Sequence, residues 1–274
     1  MSWVMSHEPV VRLGFFFGVF IVMGVWEILE PRRELRVAKS PRWFANLGIV
    51  FLDALLVRAV FPAAAVGMAL VAAERGWGLL NNFNVAPVVA IVASVFMLDL
   101  VIYIQHVLFH AVPALWRLHM VHHADVDFDC TTGLRFHPVE IVLSMAIKLA
   151  AVAALGPPAL AVLIFEVVLN ATAIFNHGNV RLPAAVDRLL RLIVVTPDMH
   201  RVHHSVKPFE TNSNFGFNLP WWDRLAGTYR NQPEDGHVEM TIGLDQFQDR
   251  VRQSIPWLLA VPFTGRVGGY PIGK

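Results

Sequence analysis

The sequence predicts an all-α membrane protein: four to five transmembrane or membrane-embedded helices carrying a cytoplasmic helical cap. Three observations predict it. The 274-residue chain is 55% hydrophobic and 16% charged, with a mean hydropathy of +0.52, whereas soluble domains run at about 45–50% apolar and about 25% charged. Five apolar runs reach or approach the roughly 20 residues that a spanning helix needs. Finally, basic residues and histidines are concentrated in alternate connections between those runs.

The first run, residues 13–29, contains FFFGVFIVMGVW. It is a poor cleaved signal, because only Arg12 precedes the apolar stretch and Trp26-Glu27 stands where small residues would mark a cleavage site. The second, 44–73, is interrupted by Asp53, Arg58 and Pro62, and the third, 85–109, carries Asp99 as its single carboxylate. The fourth, 139–155, carries Lys148 and stops at Gly156-Pro157-Pro158, a tight turn into the fifth, 159–175. These last two either cross fully or form a shallower hairpin. Residues 1–175 therefore read as the membrane bundle, with the first histidine motifs (106–123) in a cytoplasmic connection. Residues 176–274, rich in proline and mixed charge, read as a cap within the same functional unit. Within the cap, residues 189–195 (LLRLIVV) fit an interfacial or buried helix too short to span.

Loop charge orients the chain. With five crossings and the N-terminus outside, 18 of 22 basic residues fall in the cytoplasm, including Arg32, Arg33, Arg36, Lys39 and Arg42 in one short loop. Arg58 and Lys148 lie within membrane stretches and call for internal partners. The net charge of +1 provides no basic field for nucleic acid. A single cysteine, Cys130, excludes an internal disulfide and a paired-cysteine zinc or redox site.

Ten of the twelve histidines lie between His106 and His204. His106 and His110 form HxxxH at the end of the third run. His119, His122 and His123 form HxxHH, and His200, His203 and His204 form a second HxxHH. His137 and His177 stand singly. On a helix, positions i, i+3 and i+4 share a face, so each motif presents two or three imidazoles together, and imidazole suits Fe, Zn, Cu and Ni. Loop charge, which takes no account of histidine, places all ten on one side of the membrane. They are too many for one ion, so two metals are the economical count. A zinc protease is disfavoured because no motif contains the glutamate of HExxH. A carboxylate di-iron site is disfavoured because its paired Glu-x-x-His ligands are missing.

The ordered set HxxxH, HxxHH, HxxHH resembles the fatty acid hydroxylase/sterol desaturase superfamily of membrane di-iron oxygenases. TPDMHRVHHS (196–205) and NFGFNLPWWDRLAGTY (214–229) resemble its bacterial members. The likeness covers residues 95–229, about half of the chain. It implies a cytoplasmic di-iron site, O2 as co-substrate, and placement in a bacterial inner membrane. The matching ligand positions are His106, His110, His119, His122, His123, His200, His203 and His204. His177 stands where some members place a further ligand, although Ala173 replaces the first histidine of that motif.

Other groups are candidate ligands or candidates for orienting the imidazoles: His137, Asp99, Tyr103, Asn176 and Asp198. Asp99, Tyr103, His106 and His110 fall on one helical stripe, with a helix–helix hydrogen bond as the alternative role for Asp99. Asp125, Asp127, Asp129 and Asp223 read as loop or cap residues near the motifs. Trp221-Trp222 read as interface anchors, and His7 and His237 as ordinary surface residues.

No side chain is reactive enough for an unactivated C–H bond, so the metal and O2 must supply that chemistry, with no catalytic residue beyond the metal centre. The expected activity is hydroxylation of a lipid such as a sterol, fatty acyl chain, carotenoid or alkyl ether lipid. Desaturation on the same site, or a metal transporter or sensor of a different class, are the alternatives. The chain has no dinucleotide, haem or ferredoxin motif. Two electrons per turnover must then come from a partner such as a ferredoxin or a cytochrome with its reductase.

Overall fold

The structure is a computed structural model that describes residues 2–249 and 253–272. Arg250, Arg252 and Lys274, three of the basic residues counted above, lie outside the described residues. The protein is all-helical: among the described residues the only β-pairing is two isolated bridges, Pro31 with Val180 and Ser205 with Ile242.

Five stretches are long and apolar enough to cross a membrane. Helix α1 (Glu8–Leu29) buries little except Met23 and Glu27 and leaves Phe15, Phe17, Ile21 and Val22 exposed, the pattern of a lipid-facing helix. It packs along the fifth spanning helix. The second apolar run is not one continuous helix. It forms α2 (Lys39–Val60) and α3 (Ala64–Arg75), broken at Phe61–Ala63 because Pro62 cannot donate an N–H to the helical ladder. Arg58 finds its partner at this break, donating to the Pro62 carbonyl at 3.0 Å.

Helix α4 (Pro87–Ala111) ends at Val112, and α5 (Pro113–His123) starts anew on Pro113, whose fixed φ suits a first helical turn. Helices α6 (Pro138–Leu155) and α7 (Ala159–Asn176) are joined at Gly156, which holds φ +63°, a left-handed conformation that favours glycine. At about 1.5 Å per residue each 18-residue helix is about 27 Å long, so both are long and apolar enough to be candidate spans.

The connections sort to two ends as loop charge requires. At one end, residues 76–82 meet the α6–α7 turn, where a Cβ on Gly156 would lie 2.6 Å from the Trp77 carbonyl oxygen. At the other, the Glu27 carboxylate accepts from Cys130 N (2.7 Å) and Asn179 N (2.9 Å). A buried ionic lattice stiffens this second end. Arg42 donates to Asp125 (2.7 and 2.8 Å) and to Asp129 (2.7 Å), and Asp127 accepts from Val37 N (2.8 Å). Removing one partner of such a buried pair costs about 3–5 kcal/mol.

The cap comprises α8 (Ala184–Leu190), α9 (Pro197–His203), α10 (Trp221–Ala226), α11 (Ile255–Thr264) and their linkers. Helix α11 packs on α5 through a core that includes Trp116, Met120, Leu244, Phe247, Leu258 and Tyr270. Val186, Leu189, Leu192 and Ile193 are exposed on and just after α8, the apolar edge expected of an interfacial segment. Trp221 and Trp222 fasten the cap to α4. Trp221 stacks on Phe96 with centroids 5.6 Å apart, and Trp222 Nε1 donates to Asp99 at 2.7 Å.

Candidate metal centre

Nine buried histidines converge where α4, α5, α7 and α9 meet. They form two groups, His106, His110, His119, His123 and His203, and His122, His177, His200 and His204. Within each group the ligating nitrogens lie within 4.8 Å of one another. Helix geometry explains the division. Successive residues turn by about 100°, so i and i+4 differ by about 40° while i+3 falls about 60° to the other side. In α5, His119 and His123 join the first group and His122 the second. In α9 the assignment is reversed: His200 and His204 join the second group and His203 the first. Thr196 starts α9, its hydroxyl accepting from Met199 N at 3.3 Å, with Pro197 in the first turn.

Hydrogen bonds fix the tautomers. Carbonyl oxygens can only accept, so Nδ1–H donates from His106 to Phe215 (2.7 Å), from His203 to Ser213 (2.7 Å), from His122 to Arg135 (3.2 Å) and from His177 to Ala173 (2.7 Å). His119 Nδ1–H donates to the Glu140 carboxylate at 2.7 Å. His110 Nδ1–H donates to Asn212 Oδ1 at 3.1 Å, and Asn212 is held in turn by its Nδ2 on the Tyr270 carbonyl (2.6 Å). With the proton on Nδ1, each Nε2 presents a lone pair. Yet the Nε2 atoms of His106 and His119 are 3.1 Å apart, those of His106 and His203 3.1 Å, and those of His122 and His177 3.2 Å. Lone pairs at that separation repel unless a cation lies between them. His110 Nε2, His123 Nε2 and both nitrogens of His204 have no hydrogen-bond partner in the protein. The donor set therefore fits cations.

Burial keeps the rings neutral, as metal ligation requires. It pushes His119 and His177 down to about 3. Burial, reinforced by neighbouring imidazoles, holds His122, His123, His200, His203 and His204 well below the usual histidine range.

The remaining sequence candidates lie outside the two groups. His137 caps α6, its Nδ1 accepting from Val139 N at 3.2 Å and its Nε2 donating to the Leu259 carbonyl at 3.3 Å. Asp99 shares the buried stripe with His106 and His110 but meets Trp222 rather than an imidazole. Tyr103 bonds Thr228 at 2.9 Å. Asn176 donates to the Phe217 carbonyl at 3.0 Å. Asp198 pairs with Arg32 at 3.0 Å and with Arg201. His237 is not a surface residue: it is buried beside Asp198, because the cap folds over it. His7 is exposed and stacks on Trp3.

Three contributions were not legible in the motifs. Glu140 orients His119. Asp223 accepts from Phe215 N and Gly216 N, both at 2.8 Å, and so fixes the carbonyl that anchors His106. It lies within the 214–229 stretch, where the sequence marks it only as a loop or cap residue. Gly133 gives His177 room, since a Cβ there would lie 2.4 Å from the Ala173 carbonyl oxygen and 2.9 Å from His177 Nδ1. Against the first group lies a cavity of about 330 Å³ between α2, α4, α6 and α7, with His106 and His119 in its wall.

Fold and site together define a membrane helical bundle that carries a paired, all-imidazole centre beneath a helical cap. The chain belongs to the fatty acid hydroxylase family: residues 91–228, which contain all nine histidines, match the family's model. It is 31% identical to the ornithine lipid hydroxylase OlsE of Rhizobium tropici over 173 residues, 63% of this chain and 50% of that protein. It is 28% identical to the alkylglycerol monooxygenase of Xenopus tropicalis over 148 residues, 52% and 31% of the two chains. The very-long-chain aldehyde decarbonylase GL1-1 of Oryza sativa subsp. indica is 28% identical over 158 residues, 54% of this chain and 25% of that one. The chain thus aligns with half or less of each relative's length. No solved structure matches it.

Proposed function

We propose that the protein is a membrane-bound di-iron monooxygenase that hydroxylates an unactivated C–H bond of a lipid. The observation that carries this reading is the pair of all-imidazole groups, one of them opening onto a cavity between membrane helices. His106, His110, His119, His123 and His203 would hold one iron, and His122, His177, His200 and His204 the other. When bound, the iron pair supplies the O2 reduction and hydrogen abstraction that protein side chains lack. The chain's own residues fix and shield that site. Carbonyls of residues 213 and 215, with Glu140, lock the imidazole tautomers. Phe136, stacked on His122 at 4.6 Å, and Phe109 shield the cavity side of the clusters from water. The cavity positions the substrate carbon against His106 and His119.

The named activities of two relatives, a lipid hydroxylase and an alkylglycerol monooxygenase, support hydroxylation over desaturation. The distribution of basic residues supports histidines that face the cytoplasm, and the likeness to a Rhizobium hydroxylase supports a bacterial inner membrane; a ferredoxin, or a cytochrome with its reductase, would deliver two electrons there. The test uses the full chain in nanodiscs with ferrous iron, reduced ferredoxin, a bacterial lipid extract and ¹⁸O2. A lipid product that gains one ¹⁸O is expected. A product lacking two hydrogens and no oxygen would reassign the site to desaturation, and no O2-dependent product would overturn the reading. A C-terminal tag reachable only from outside intact cells would overturn the orientation.

A further inference from the structure

The cavity wall is more polar than a tunnel for hydrocarbon needs to be. Helix α2 lines it with Val50, Asp53, Ala54 and Val57, one stripe at i, i+3, i+4 and i+7. Asp53 is thus a carboxylate in an otherwise apolar face, only 4% exposed, and neither of its oxygens has a hydrogen-bond partner in the protein. Two further acceptors on residues of the same wall are equally unmet, Glu140 Oε2 and Gln105 Oε1. The cavity's cations do not serve them. Lys148 Nζ is committed to Glu166 at 3.0 Å, and Arg12 to Glu8 at 2.8 Å and Glu166 at 3.1 Å. Gln105 Nε2 is spent on Ser144 Oγ at 2.9 Å. Four buried acceptor atoms on three residues therefore surround a space beside the histidines.

We propose that this cavity selects a lipid bearing hydrogen-bond donors, hydroxyl or ammonium groups, near the carbon presented to His106 and His119, with Asp53 as the principal recognition residue. This deepens the lipid reading above and rests on it. A carotenoid, or an acyl chain reaching in from its methyl end, brings no donor and would leave all four atoms buried and unpaired. Sites built to hydrogen-bond a substrate group reject the analogue that lacks it far more strongly than they sort chain lengths. A carboxylate inside a membrane helix, facing a cavity, is where such recognition is expected.

The test is equilibrium binding of three radiolabelled probes of equal chain length to the full protein in nanodiscs: 1,2-hexadecanediol, hexadecylamine and methyl hexadecanoate. The diol or the amine should bind at least tenfold tighter than the donor-free ester, about 1.4 kcal/mol, and the tighter of the two identifies the donor as hydroxyl or ammonium. Asp53→Leu should reduce that preference to less than threefold. Its thermal midpoint reports folding, and if it does not fold, Gln105→Leu is judged by the same criterion. Equal binding of all three probes, or a tenfold preference surviving in the folded variant, overturns the proposal. Metal content measured on the same preparation separates the two readings. A donor preference in protein that binds no iron would sink the iron assignment alone, and iron without the preference would sink this one alone.

Discussion

The two histidine groups are built from the same motifs yet held differently. The five-histidine group leans on the cap and on α6: its Nδ1 protons go to carbonyls of 213 and 215, to Asn212 and to Glu140, and two of its rings line the cavity. The four-histidine group lies behind it, packed against Phe128 and Phe136. It has only two Nδ1 anchors, the backbone carbonyls of Arg135 and Ala173. The group that faces the cavity is thus held by four Nδ1 anchors, two backbone carbonyls and two side chains, and the rear group by two carbonyls and by packing. Substrate and cap should act on the front group, and steric fit on the rear one.

Removing a ring tests this division most severely. His106→Ala should lower bound metal from about two ions to about one per chain and abolish activity, and His177→Ala should do the same through the other group. Elemental analysis beside turnover checks both, and loss of both ions in either variant would merge the groups into a single cooperative site. Next in size is Glu140→Gln, which weakens the acceptor on His119. It should cut activity or metal affinity by about 10–100-fold while leaving the rear group loaded. Gly133→Ala drives a methyl against Ala173 and His177, and overpacking of this kind costs about 1–3 kcal/mol. Its metal loss should begin in the rear group, a result readable by combining it with His106→Ala.

Smaller still, His137→Ala should cost about 1 kcal/mol by uncapping α6 without changing metal content. A drop in bound metal would make His137 a ligand after all. The smallest effect concerns His237, held by burial at about 3. Because its folded value lies below the usual 6.5, its share of cap stability is complete above pH 6.5 and is lost as pH falls towards 3. His237→Gln should flatten the pH dependence of the denaturation midpoint across that window, and an unchanged slope would show that the ring titrates alike in the folded and unfolded chain.

Much of this was visible in the sequence because helices are periodic. Hydropathy located the spans, and i, i+3, i+4 spacing gathered His119, His122 and His123, and likewise His200, His203 and His204. Likeness points to His177, at a position where some members carry a further ligand, although Ala173 replaces the first histidine of that motif. In the structure the backbone carbonyl of Ala173 accepts from the Nδ1–H of that ring. What spacing did not reveal depends on partners far along the chain. Glu140 reaches His119 across a helix packing, Asp223 acts through the backbone of 215 and 216, and Asp99 meets Trp222 rather than an imidazole. His237 looked like surface because cap burial leaves no periodic trace in a short helix. The break between α2 and α3 was marked by Pro62, but hydropathy alone ran through it.

The most direct test of the central claim is the identity and number of metal ions bound to the purified full chain, measured by elemental analysis beside the His106→Ala and His177→Ala variants. Two irons per chain, with about one lost in each variant, is the predicted result. A single zinc per chain, with no iron taken up under reducing conditions, would contradict it.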